Sequence, residues 1–440
     1  MEQIVQEAVA KKTFMGAVLV AKGSDVLLSK GYGFANLEWD IPNSPSAKFR
    51  LGSITKQFTA AAILLLEERG TLKVDERVKT YLPDLPTAWD RITVRNLLTH
   101  SGGIPNFTAL PTYREMQVSP ASPDKIIGML RDRPLDFEAG EKMSYSNSGY
   151  IVLGALIEKL SGGSYAEFVQ KNLFAPLGMH DSGYDSNIAI IPHRAAGYVA
   201  GPNGFANAGY IHMSVPHAAG ALYSTTLDLL KWEQALFAGK VVSAASLQKM
   251  TTPFKNDYAF GLTIHTLKDR KVIGHDGGID GFNTHMAYYP DSKVIVIVLG
   301  NVNGRAPTEI GAKLELLAHG DAVEATTGPK SLAPKIALAR DGGPRRASTP
   351  HFVQFLRARR WNAPRRRGNG GAESTEFLSR RECAPASGER VGTIQSGERR
   401  EAPRKDAATR ANETPGSSAS HLRGSRHPSV GLPSAAHSPN

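Results

Sequence analysis

The strand signals of this 440-residue chain lie at its two ends, with helical signals between them, and this placement restricts the fold more than any other feature. Near the start, MGAVLVAK (15–22) and DVLLSKGYG (25–33) read as two strands joined at Gly23-Ser24, an antiparallel hairpin. Near the far end come three more strand candidates, YAFGLTIHTL, FNTHMAYYP and KVIVIVLGN. The last is an almost unbroken apolar run, as expected of a strand covered on both faces. Strands that must meet across such a separation leave the intervening chain to form a helical excursion. The expected fold class is therefore α+β: an antiparallel sheet flanked by helices, with an inserted, mostly helical lobe over about 71–214.

Residues 3–10 read as a short helix. In FRLGSITKQFTAAAILLLEERG (49–70) the period changes from two to 3.6, with Phe58, Ala62, Leu65 and Leu66 at helical spacing and Gly70 placed to end the helix. A strand end thus runs into a long buried helix that begins near Ser53. Further helices are expected at 225–239, at AASLQKMTTP and at 304–320. Neither an internal repeat nor a glycine-rich phosphate loop after a strand is present, so no nucleotide cofactor is expected.

Charge divides the chain. Its 52 Lys plus Arg exceed its 41 Asp plus Glu by 11, but residues 320–440 hold 21 of the basic and 11 of the acidic residues, leaving 31 and 30 in the first 319. The last quarter is rich in Arg, Pro, Ser and Gly and shows no helical or strand period, so 1–319 is expected to fold and 320–440 to be a basic, disordered or non-native tail, with a shift of reading frame near Arg340 as one origin. The tail holds no glycine-rich repeat with interleaved aromatic residues to support base stacking, so it is not read as a nucleic-acid partner site. The single cysteine, Cys383, excludes an internal disulfide and a cysteine-based zinc site. The longest apolar helical stretch, Phe58 to Leu66, is too short to span a membrane, and the N-terminus lacks the order of a signal peptide. The chain as written is expected in the cytoplasm, or in the periplasm if an export signal has been removed.

Ser53-Ile54-Thr55-Lys56 places an amine one helical turn from a hydroxyl. A serine needs a neighbouring base to become a nucleophile, and a lysine can be that base when burial lowers its pKa. The spacing recurs at Ser122/Lys125 and Ser246/Lys249, where it is read as a helix start with a capping serine. Tyr145-Ser146-Asn147 distinguishes the first motif by its company: Tyr145, partly as phenolate, can serve as general base and then return the proton, while Asn147 can hold a substrate carbonyl and the lysine together. Taken alone it is a turn capping the next helix. In His275-Asp276-Gly277-Gly278, an edge strand can set the Gly278 amide opposite that of Ser53 as an oxyanion hole, with His275 bonded to substrate or to the Tyr145 phenol. Read blandly it is a glycine turn with a surface histidine, since His100-Ser101-Gly102 shows the same spacing. His212 and His217 are separated by Pro216 and are not proposed as metal ligands, Glu67-Glu68 reads as a solvated helix end, and Trp232 as packing.

In this order and on these elements, the three motifs resemble the serine β-lactamase and penicillin-binding-protein superfamily, in its class C-like branch, over about residues 5–318. GYGFANLE, LLTHSGGIP (97–105), AAGALYST (218–225) and GFNTHMAYYP add to the resemblance. It implies Ser53 as the acylated nucleophile, Lys56 and Tyr145 as its proton-transfer partners, Asn147 as a substrate-positioning residue, and the amides of Ser53 and Gly278 as oxyanion donors. His275-Asp276-Gly277 stands where many members carry Lys-Thr-Gly. That triplet is closer to the His-x-Gly of D-alanyl-D-alanine carboxypeptidases than to the aromatic-Gly-Gly of family VIII carboxylesterases. His275 is a weaker fixed cation than lysine, and Asp276 adds a negative charge.

The expected function is a metal-free serine hydrolase of small esters, with β-lactams and D-amino-acid peptides as further substrates. The rival is a penicillin sensor or peptidoglycan-binding protein with the same pocket that is acylated and not released.

Overall fold

The computed structural model describes residues 1–201 and 204–323. The expectation for the tail falls, past Val323, outside the described residues.

Six strands form one antiparallel sheet: β1 (Gly16–Lys22), β2 (Asp25–Tyr32), β3 (Thr263–Leu267), β4 (Arg270–Ile279), β5 (Phe282–Tyr289) and β6 (Val294–Gly300), in the order β3-β4-β5-β6-β1-β2. The opening hairpin joins the closing strands through β1 and β6, paired from Gly16↔Gly300 to Lys22↔Val294. Alternation sorts these apolar runs into two cores. Ala17, Leu19, Ile295, Ile297 and Leu299 face the larger one, with Phe58 and Trp232. Val18, Val20, Val294, Val296 and Val298 face the smaller one, with Val5, Ile310 and Leu314.

Helices α1 (Glu2–Ala10) and α5 (Ala306–Ala318) supply the smaller core. The larger one holds α2 (Thr55–Glu68), α3 (Asn147–Ser161) and α4 (Thr226–Phe237). Helix α2 is buried at every position from Thr55 to Leu64, so no polar stripe marks it as a surface helix. Its polar side chains bond inward: the Trp232 indole N–H donates to Gln57 Oε1 at 2.7 Å, and Thr59 Oγ1 donates to the Ala218 carbonyl at 2.7 Å.

Four expectations need correction. The segment at 275–278 is the strand that the oxyanion reading required, not the alternative glycine turn. It is not an edge strand of the sheet, however: β3 is the edge, but β3 pairs with β4 only from Arg270 to Gly274. From His275 onward that side of β4 is free of a strand neighbour, and the segment around Gly52 lies against it. Within the lobe, short strands lie at Gly183–Tyr184, Tyr198–Gly201 and Gly204–Asn207, where glycine and single aromatics hide a period of two. Ser122 caps its helix as expected, but Ser246 does not; Ser243 does, accepting from the Ser246 N–H at 3.2 Å. Glu67 and Glu68 are bonded, not merely solvated: Glu67 pairs with Lys249 at 2.8 Å, and Glu68 accepts from the Ser243 N–H at 2.8 Å.

Candidate active site

A 3-10 turn, Gly52–Ile54, carries Ser53 into α2. Three bonds fix it: the Leu51 N–H donates to the Leu222 carbonyl at 2.8 Å, Thr284 Oγ1 donates to the Leu51 carbonyl at 2.8 Å, and the Leu222 N–H donates to Thr55 Oγ1 at 3.2 Å. The turn is thereby clamped to β5 on one side and to the short strand Leu222–Ser224 on the other. Two glycines allow the approach. Gly52 has φ +55°, and a Cβ there would lie 2.6 Å from the Gly278 nitrogen; a Cβ on Gly277 would lie 2.0 Å from the Leu51 carbonyl oxygen.

Lys56 is fully buried, and its Nζ has three oxygen neighbours: Ser53 Oγ at 2.9 Å, Asn147 Oδ1 at 2.9 Å and the Ala219 carbonyl at 2.8 Å. Burial pushes its pKa well below that of a free lysine. A neutral amine has two N–H groups, which Asn147 and Ala219 accept, and one lone pair, which is left for the Ser53 proton. Tyr145 donates its O–H to Ser53 Oγ at 2.8 Å, and burial raises its pKa. Burial acts on both groups in the direction of a neutral amine beside a neutral phenol, and against the ammonium–phenolate pair that carries the same protons. This protonation state is the opposite of the Tyr145 phenolate considered from sequence.

Asn147 opens α3; its Nδ2 donates to Thr108 Oγ1 at 3.3 Å, and its backbone N–H donates to Asn106 Oδ1 at 3.1 Å. Gly278 lies beside Ser53 in one cavity of about 280 Å³. Its apolar wall comes from Phe107, Tyr113, Ile211, Pro216 and Ile279. Ser53, Lys56, Tyr145, Asn147, Gly277 and Gly278 thus converge.

His275 does so differently from expectation. Its ring is buried and its Nε2 lies 3.0 Å from the Tyr258 hydroxyl, while the Tyr145 ring centroid is 6.2 Å away. Burial, reinforced by Lys56, lowers its pKa to about 4. It is a neutral ring whose Nδ1 donates to the Asp276 carbonyl at 2.6 Å and whose Nε2 accepts from Tyr258. Asp276 adds no charge to the cavity. Alternation turns it to the opposite sheet face, where its Oδ1 lies 2.6 Å from His285 Nδ1 and its Oδ2 accepts from Thr308 at 3.1 Å.

Sequence reasoning missed three contributors. His100, whose spacing from Gly102 reads as a chance recurrence, packs its ring 4.2 Å from that of Tyr145 and 4.6 Å from that of Tyr258. The Ala219 carbonyl holds Lys56. Tyr258 supports His275. The first two lie in the segments LLTHSGGIP and AAGALYST, which the sequence marks only as family-like; nothing in the sequence marks Tyr258.

Comparison with known proteins identifies the family. The family profile Beta-lactamase matches residues 1–320. The chain belongs to the beta-lactamase family. This beta-lactamase-family chain is 32% identical over 312 residues to Penicillin-binding protein 4* of Bacillus subtilis (strain 168), covering 66% of the chain and 69% of the relative. It is 26% identical over 302 residues to the Teichoic acid D-alanine hydrolase of Staphylococcus aureus (strain MRSA252), covering 68% and 72%. Among solved structures it superposes on a penicillin-binding protein from Bacillus halodurans with a TM-score of 0.66 at 28% identity, over 71% of this chain and 98% of that one. These matches bear out the superfamily read from the three motifs and the expected α+β fold. Among the described residues no helix is long and apolar enough to cross a membrane, and no group of His, Cys, Asp and Glu is arranged to hold a metal.

Proposed function

We propose that the protein is a serine hydrolase working through an acyl-Ser53 intermediate, with carboxylic esters as its principal substrates and β-lactams and D-Ala-D-Ala peptides as further ones. The observation that carries the proposal is the position of Ser53 Oγ, 2.9 Å from a buried amine and 2.8 Å from a buried phenol, on the wall of an open cavity. The Teichoic acid D-alanine hydrolase among its relatives supports hydrolysis.

In the proposed cycle the Ser53 proton passes to Lys56 as Oγ attacks the carbonyl carbon. The backbone amides of Ser53 and Gly278 receive the oxyanion, each donor contributing roughly a hundred- to a thousandfold in rate. Tyr145 gives its proton to the leaving oxygen or nitrogen and recovers one from Lys56, which restores the neutral pair. Water then attacks the acyl-serine with the same groups in reverse. Esters lead because an alkoxide leaves more readily than an amine.

The test is a panel of p-nitrophenyl esters, nitrocefin and a D-Ala-D-Ala peptide, with intact-mass analysis. Ser53→Ala should abolish turnover and adduct together; full turnover by that variant would overturn the proposal. A persistent adduct on wild-type Ser53 without turnover would select the sensor reading instead.

A further inference from the structure

The wall of the Ser53 cavity carries a single charge. Of the described residues lining it, Asp280 alone is ionisable as an acid or base near neutral pH, and no lysine or arginine joins it. Asp280 follows directly on β4, two residues beyond Gly278. At about 3.3 Å of rise per residue, its Cα stands within roughly 7 Å of that of Gly278, which flanks the proposed oxyanion position. Its carboxylate accepts from its own backbone N–H. Arg114 and Arg50 are close enough to influence it, yet among the described residues neither forms an ion pair with it, and Arg50 is committed to Asp185 at 2.6 Å. Partial burial raises the Asp280 carboxyl above its ordinary value, and on the same wall burial, with Asp280 adding to it, raises the pKa of Tyr113. A half-buried carboxylate without an ionic partner, in a cavity otherwise lined by apolar and neutral groups, is a receptor for a cation.

We propose that Asp280 is a specificity-determining residue that selects substrates carrying a protonated or quaternary amine a few bonds from the scissile carbonyl. The inference rests on the hydrolase reading and extends it by naming the substrate class. A cationic group entering beside Tyr113 gains both the carboxylate and an aromatic face. An anionic group at the same place meets repulsion.

The test compares two p-nitrophenyl esters whose acyl chains end in trimethylammonium or in the isosteric tert-butyl group. Rates are read both as turnover and as Ser53 acylation by mass, so that a chain that acylates without releasing still gives a result. The wild-type protein is expected to favour the cationic ester by about tenfold in kcat/KM, and Asp280→Asn to bring the ratio near one. Asp280→Glu should restore part of the preference. If the neutral ester acylates Ser53 and the cationic ester shows no advantage, or if Asp280→Asn retains the advantage, this inference is overturned while the hydrolase reading stands. If neither ester acylates Ser53, both are overturned.

Discussion

The Nζ of Lys56 stands 2.9 Å from the Oγ of Ser53 at the inner end of a helix that exposes none of the lysine. This relationship joins a local feature, the three-residue spacing, to a global one, the burial that removes the ammonium's water. Neither by itself makes a base. With spacing but no burial, as at Ser122 and Lys125, the serine caps a helix and the lysine lies exposed, donating to the Pro120 carbonyl.

Replacing the amine by a group that cannot lose its proton should stop the first step. Lys56→Arg is expected to lower kcat/KM for a p-nitrophenyl ester by about a thousandfold or more, because guanidinium stays charged at any accessible pH. Stopped-flow acylation rates compared with circular dichroism spectra separate this from misfolding. Retention of a tenth of the wild-type rate would refute Lys56 as base.

The pH profile should show the same pair. Acylation needs neutral Lys56, so its rate falls as pH drops through the lysine pKa, which burial places well below 10.5. The phenol must keep its proton, and burial raises Tyr145 above 10, so no alkaline limb is expected below about pH 10. A profile of kcat/KM with a falling limb between pH 8 and about 9.5 would contradict this assignment.

Backbone proximity predicts an outsized effect from one methyl group. In Gly277→Ala the new Cβ would fall 2.0 Å from the Leu51 carbonyl oxygen, so that carbonyl must move, and with it the turn bearing Ser53. The expected cost in stability is about 1–3 kcal/mol, with a loss of activity far larger than that loss of folded protein explains. Chemical denaturation and active-site titration measure the two separately.

On the far face of the sheet, His285 lies between Asp276 Oδ1 at 2.6 Å and Glu315 Oε1 at 2.7 Å. Burial alone would lower its pKa, but the two carboxylates override burial and push it up to about 10. A histidine raised in the folded state stabilises fully below its unfolded pKa, near 6.5, and loses that contribution as pH rises through about 10. The difference in Tm between wild type and His285→Gln should therefore be largest near pH 6.5 and shrink towards pH 10. A constant difference across that range would exclude the ion-paired state.

Much of the fold and most of the site can be read from residues in order. The hairpin, the buried helix after Ser53 and the run 293–301 announce themselves because apolar period is a direct record of which faces meet water. Ser53 with Lys56, and Tyr145 with Asn147, are legible because each pair sits on one turn or loop. β4 is legible only at 275–278, and there only beside a reading as a turn, because its glycines let backbones touch, and a strand that packs by having no side chain writes no pattern. His100 and Tyr258 escape for a different reason: their partners are rings far away in the chain.

Residue order thus established the chemical groups, their local spacing and the hydrophobic layers, all properties carried within a few turns of chain. Protonation states and aim came from packing. The same lysine is a surface cation or a base according to its burial, the same histidine spacing yields His100 beneath Tyr145 and His275 against Tyr258, and Asp276 leaves the cavity because a strand alternates. Charge and direction depend on what surrounds a group in space, and those neighbours are assembled only when the two ends of the chain pair across one sheet.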